Sequence, residues 1–298
     1  MTDVRESTQR RTLTTLSVSQ VVAGVGVAGA VPAGALLMFD VSGSEALSGL
    51  AQTFAVTGAA LMALPLSRLT SRGGRRRTVL TGYSIGAMGA FLAVLGGTVR
   101  VIPLILIGTM LAGAATAAAY QLRFAAVDLA EPSRRGRDLA IVMWASTIGS
   151  VLGPNLLGWS GHNAELLRLP TLVGPYLFSG TMLLAAAIVV FLFLRPDPYL
   201  LSVKLAGEEK PPAPRNFRHA LQLIRQSSAA KIALGAIVTG HIAMVGIMVM
   251  TPVHMKHVDV SLTVIGLVIS VHILGMYALA PVFGSLSDRW GRVRVIQS

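Results

Sequence analysis

Five titratable side chains lie within or beside long apolar stretches of this chain: Asp40, Arg123, Asp128, His241 and His272. A charge near membrane depth is costly, so each is a functional candidate by default. His241 and His272 sit mid-stretch. An imidazole there either carries a proton near neutral pH or stays neutral on a backbone carbonyl. Arg123 and Asp128 are five residues apart. On a continuous helix they either pair or reach separately for the interface, the arginine by snorkelling. Asp40 reads as an interface residue. Gln20, Gln52, Tyr83, Gln121 and Asn155 are uncharged candidates for lining a cavity, although spacing alone does not fix the face each occupies. H-E-x-x-H and P-loop patterns are missing, so the sequence indicates no enzyme, metal or cofactor.

The elements that must hold these groups are apolar and long. The chain has 298 residues, 53% apolar and 13% charged; a soluble domain has about a quarter of its residues charged. Eight stretches carry no Asp, Glu, Lys or Arg: 12–39, 46–67, 78–99, 101–122, 139–164, 169–194, 232–255 and 260–287. About 20 apolar residues of helix cross the hydrocarbon core of a bilayer. The pattern predicts an all-α polytopic membrane protein with eight spans. It excludes an ordinary soluble enzyme, a disordered chain and a nucleic-acid binder.

Net charge is +12, and its placement is informative. The N-terminus, the 2–3, 4–5 and 6–7 connections and the tail hold 22 of the 25 basic residues; the alternate connections hold only Arg100, Arg168 and Lys256. This is the positive-inside pattern, which predicts a multi-pass protein of the plasma membrane with both termini cytoplasmic. With no cysteine, disulfides are excluded. The polar start and long first stretch do not read as a cleaved signal peptide, so span 1 is expected to remain. Gly24, Gly26 and Gly29 fit G-x-G-x-x-G, but they lie inside a charge-free stretch without the strand a nucleotide fingerprint requires.

The expected organisation is a six-helix block over 1–194, a polar linker over 195–229, and the start of a second block over 230–298. Within the linker, Asn216 to Gln226 reads either as a short amphipathic surface helix or as solvated chain. A loop frame recurs in both blocks. Gly284, Asp288, Arg289, Gly291 and Arg292 fit G-x-x-x-D-R-x-G-R-R; Arg72, Gly74, Arg75 and Arg76 fit it too, with Ser67 and Ser71 in the Gly and Asp slots. A further pattern, Gly149, Gly153, Pro154 and Gly158, fits G-x-x-x-G-P-x-x-x-G in span 5. Gly149 and Gly153 share a face, and Pro154 removes a backbone donor and bends the span.

The paired loop frame resembles the signature of the major facilitator superfamily (MFS). The resemblance implies an MFS-type helical bundle in which eight of twelve expected transmembrane helices are present. It also implies a cytoplasmic gate at the two loops, with roles for Arg72, Arg75, Asp288, Arg289 and Arg292. Ser71 can cap a helix but supplies no charge at the Asp slot. The span 5 pattern resembles that of proton-coupled exporters. The implied function is secondary active efflux of a small molecule, a drug or metabolite, by alternating access. Protons are the coupling ion and the lipid bilayer is the setting, with Gln20, Arg123, Asp128, Asn155, His241 and His272 as substrate or proton candidates. The alternatives are an uptake symporter or uniporter, and a non-transporting fragment or membrane binding protein. With two helices in its second block, the chain by itself is expected to transport poorly.

Overall fold

The computed structural model describes residues 2–131, 134–207 and 217–278. Among them every regular element is helical: α1 (Thr2–Ser42), α2 (Glu45–Ser48), α3 (Leu50–Thr98), α4 (Ile102–Asp128), α5 (Arg135–Asn155), α6 (Leu157–Leu166), α7 (Gly174–Phe193), α8 (Pro198–Leu205), α9 (Phe217–Gln226), α10 (Ser228–His257) and α11 (Leu262–Ala278). Five helices are each long and apolar enough to cross a membrane, six if α5 and α6 form one span bent by 53°. The bend falls at Leu156, just after Pro154.

The 49 residues of α3 hold two of the expected spans. A straight helix would put Leu66 and Gly82 about 24 Å apart. Instead a Cβ on Gly82 would lie 3.2 Å from Leu66 Cδ1, and the Thr70 and Thr78 hydroxyls are 2.9 Å apart. The chain doubles back at Gly74, whose φ of 82° is a left-handed conformation that glycine adopts without penalty. The expected 2–3 loop is thus a break of one residue within helix.

At the same end of the first block, α1 begins about ten residues before the apolar stretch. Its polar first turns are held against α4 and α5, where Gln9 Nε2 donates to the Ala126 carbonyl (2.8 Å) and to Asp138 Oδ2 (2.7 Å). Of the two readings open for Asn216 to Gln226, a helix is present, as α9 (Phe217–Gln226).

Within the first block α1 packs on α4, α5 and α7. One core cluster includes Leu16, Tyr83, Leu122 and Leu183. A second, farther along α1, includes Leu36, Leu37, Ile105 and Leu157. Outward-facing Met88, Ile188 and Phe193 stay exposed, as expected where hydrocarbon rather than water surrounds the bundle.

Helices α10 and α11 meet this block at one end only. Val249 and Val253 pack on Ala35 and Phe39 of α1, His257 lies edge-on to Phe39 at 4.9 Å, and Ile265 enters the second core cluster. Ser270 Oγ donates to the Val151 carbonyl of α5 at 2.8 Å. Toward the opposite end, Ile232, Ile237 and Ile242 of α10 are exposed. The two blocks therefore diverge from a shared contact at the end marked by the Asp40–Arg100 ion pair (2.9 Å).

Candidate functional site

The loop frame around Gly74 lies at the other end, which carries most of the arginines. Ser71 turns back on its own helix and donates to the Arg68 carbonyl at 2.9 Å. The missing acid is supplied from elsewhere. Asp197, after α7, accepts from the Arg76 backbone N–H at 2.8 Å through Oδ2. Its Oδ1 caps α8 by accepting from the N–H groups of Tyr199 (3.0 Å) and Leu200 (3.2 Å). A Cβ at Gly74 would come within 2.5 Å of the Asp197 carboxyl carbon, so this glycine is required by space as well as by φ.

Arg75 turns the other way. Its Nε and Nη2 meet the two oxygens of Asp128 at 2.9 and 3.2 Å, and Nη1 donates to Gln121 Oε1 at 2.6 Å. Both side chains are only 11% exposed. The paired fork geometry is the strong form of the arginine–carboxylate contact. Arg76 sends its guanidinium to the Phe191 carbonyl (2.7 Å) and over the Phe191 ring. The loop after span 2 is thereby tied to the ends of α4 and α7. Arg72 is exposed and has no carboxylate within ion-pair distance among the described residues. Gly284, Asp288, Arg289, Gly291 and Arg292 of the second copy lie outside the described residues.

The α5 glycines are crossing points. A Cβ on Gly149 would meet Val21 O at 2.5 Å, and one on Gly153 would meet Val25 O at 2.5 Å. Both are backbone atoms of α1, so the two helices touch main chain to main chain, as small residues allow in lipid. Gly158 faces Thr263, and the Pro154 carbonyl faces Gly266, both of α11. The pattern thus touches both blocks.

Two adjoining cavities open between the helices. One, about 510 Å³, is walled by α1, α3, α4 and α7, with His241 of α10 at its edge. The other, about 300 Å³, lies between α1, α4 and α5 on one side and α10 and α11 on the other. They share Val27, Val31, Gln52, Thr116 and Tyr120. Gln20 lines the second cavity and donates to the Ala119 carbonyl at 3.2 Å; Gln121 lines the first. No described lining residue of either cavity is an Asp or Glu, and Arg123 is the one with a permanent charge.

Several candidates fall elsewhere. Arg123 and Asp128 do not pair. Five residues of helix turn about 500°, which leaves the two side chains some 140° apart; Asp128 joins Arg75 while Arg123 faces the second cavity. Tyr83 is fully buried in the first core cluster rather than at a cavity. Asn155 is exposed, away from both cavities, with its amide on the Val151 carbonyl (2.9 Å). His272 is exposed and lines neither cavity. Sequence reasoning missed Asp197 and Ser270. For Asp197 a signal existed, an acid followed by proline at a helix start.

Comparison with known proteins agrees with this geometry. The family model of the Major Facilitator Superfamily matches residues 16–297. The uncharacterized MFS-type transporter YdeG of Bacillus subtilis is 35% identical over 288 residues, 97% of this chain and 67% of its own length. The uncharacterized MFS-type transporter YddS of the same organism is 34% identical over 285 residues, 95% of this chain and 65% of its own length. The riboflavin transporter RfnT of Brucella anthropi is 24% identical over 295 residues, 99% of this chain and 71% of its own length. The chain thus spans about two thirds of the length of these relatives. With its helical bundle, its tied arginine loop and its family match over nearly the whole length, this chain belongs to the major facilitator superfamily of multi-pass membrane transporters.

Proposed function

We propose that the protein exports a small organic molecule by alternating access, driven by protons, with its arginine-rich end and both termini in the cytoplasm of a cell whose plasma membrane it spans. The observation that carries this reading is the one-ended contact between blocks: α10 and α11 close on α1, α5 and α6 at one end, and a cavity lies between the blocks. Rocking of one block against another around such a cavity is the physical basis of alternating access. The 1–194 and 230–298 segments serve as the moving units, with 195–229 as the link.

The arginine distribution supports the orientation, with 22 of the 25 basic residues in the N-terminus, the tail and every second connection between apolar stretches. Export is supported by the α5 pattern. Gly149 and Gly153 fasten α5 to α1, while Gly158 and the Pro154 carbonyl face α11. Proton coupling is supported by His241, an imidazole among the residues that line the first cavity. The Arg75–Asp128 and Arg76–Asp197 ties serve as the cytoplasmic hinge of the first block.

Reconstitution in liposomes with an imposed pH gradient tests the reading. Substrate is expected to move slowly against the proton, and Gly153→Leu is expected to abolish that flux while leaving membrane insertion intact. Movement with the proton assigns uptake instead. Flux unchanged by Gly153→Leu overturns the role given to α5.

A further inference from the structure

We propose that Arg123 is the anion-recognising group of the cavity between the two blocks, and that the molecule bound there is an organic carboxylate with an apolar body. The inference rests on the reading of this cavity as the transport site. Arg123 faces the cavity from α4, about one and a half turns before the helix ends. Its Nε is buried and has no hydrogen-bond partner, and its guanidinium lies 5.0 Å from the centre of the Tyr120 ring. A guanidinium keeps its proton under all physiological conditions. A partly buried cation without a counter-ion is costly, and a ligand that supplies one removes that cost.

Among the described side chains the acids at this end are engaged elsewhere, Glu6 and Glu131 with Arg134. Asp128 holds Arg75, Asp197 holds the Arg76 amide and the start of α8, and Asp138 accepts from Gln9. Among the described residues no carboxylate is within ion-pair distance of Arg123, and none lines the cavity. A cationic substrate would meet an unscreened positive charge at this wall. An oxyanion would meet the arginine fork with the Ser146 and Ser150 side chains on the facing helix α5.

The remaining walls describe the body of the ligand. Met244, Met248 and Met276 line the side contributed by α10 and α11. Thioethers adapt to varied apolar shapes and contact aromatic rings favourably. Tyr120 and Tyr277 add ring faces. A charged head on a flat or aliphatic apolar body fits this division of chemistry.

The test is equilibrium dialysis of the full chain in phosphatidylcholine nanodiscs against four probes: 2-naphthoate, 2-naphthamide, 2-naphthyl phosphate and 2-naphthylmethylammonium. Naphthoate is expected to bind at least about tenfold more tightly than the amide, the factor that one charge-assisted contact supplies. The ammonium is expected to bind weakest. Arg123→Gln should bring acid and amide to parity, Arg123→Lys should keep part of the preference, and Arg168→Gln, at an exposed arginine of the far end, should change nothing. Retention of the acid preference in Arg123→Gln overturns the proposal, as does equal binding of acid and amide or no saturable binding of any probe. A preference for the phosphate over the carboxylate overturns the carboxylate assignment. Loss of naphthoate binding in discs containing phosphatidylglycerol shows a lipid headgroup site and also overturns it. Charge-selective binding without flux would sink the transport reading and spare this one. Flux with no charge preference would do the reverse.

Discussion

Arg75 and Asp128, 53 residues apart in sequence, face each other through two hydrogen bonds at 2.9 and 3.2 Å across the ends of α3 and α4. Removing one partner strands the other in a mostly buried position. Asp128→Asn or Arg75→Gln should each destabilise the protein by about 3 kcal/mol. The double variant should cost less than the sum of the two, because the neutral pair leaves no orphan charge. Thermal unfolding of the three variants in one detergent measures the difference, and simple additivity would show that the contact carries no coupling.

Gly74→Ala should destabilise by about 1–3 kcal/mol through its left-handed φ alone, and further through the clash with Asp197. Asp197→Ala should lower stability by a comparable amount, since it removes both the Arg76 contact and the α8 cap. In the double variant the clash is relieved, so the loss should fall short of additive. Denaturation midpoints by tryptophan fluorescence provide the measurement.

Gly149→Leu places a large side chain against the Val21 carbonyl, a backbone atom that cannot step aside. The expected cost is at least about 2 kcal/mol, with α1 and α5 forced apart. Gly235→Leu, on α10 with open space around it, should be nearly neutral. Comparing the two by thermal stability separates helix crossing from mere bulk.

The absence of native cysteine makes engineered pairs clean reporters. Gly158→Cys with Thr263→Cys should form a disulfide, because a Cβ at 158 would lie 3.3 Å from Thr263 Cα. The bond should hold the α6–α11 contact shut and stop flux until a reductant is added. Ser270→Ala, which removes the hydrogen bond to Val151, should lower cross-linking yield by letting that end open more often. Gel mobility under oxidising conditions reads both outcomes.

The eight apolar stretches and the alternation of arginine are legible in the sequence because lipid imposes them locally: each span must be apolar throughout, and each charge must lie outside it. The bend after Pro154 is legible for the same local reason. The rest depends on partners distant in sequence. Ser71 shows a lost acid, but nothing near it announces that Asp197 stands in its place. Of the two readings open for Arg123 and Asp128, pairing fails because helical rotation points them apart, and it is the position of Arg75 that claims Asp128. Tyr83 and Gln20 are both polar groups inside spans, yet one lies in a core and the other at a cavity. Helix rotation separates them, and rotation is set by neighbours.

The distance along the chain between Gly74 and the carboxylate that closes its loop has a consequence for biosynthesis. Asp197 follows Arg76 by 121 residues, so a ribosome working at about 5–20 residues per second delivers it roughly 6–24 seconds after the first hairpin has been made. Until then the turn carries its amide uncovered, and the nascent hairpin lacks its final fastening. Translation past the sixth crossing is what completes a feature begun at the second.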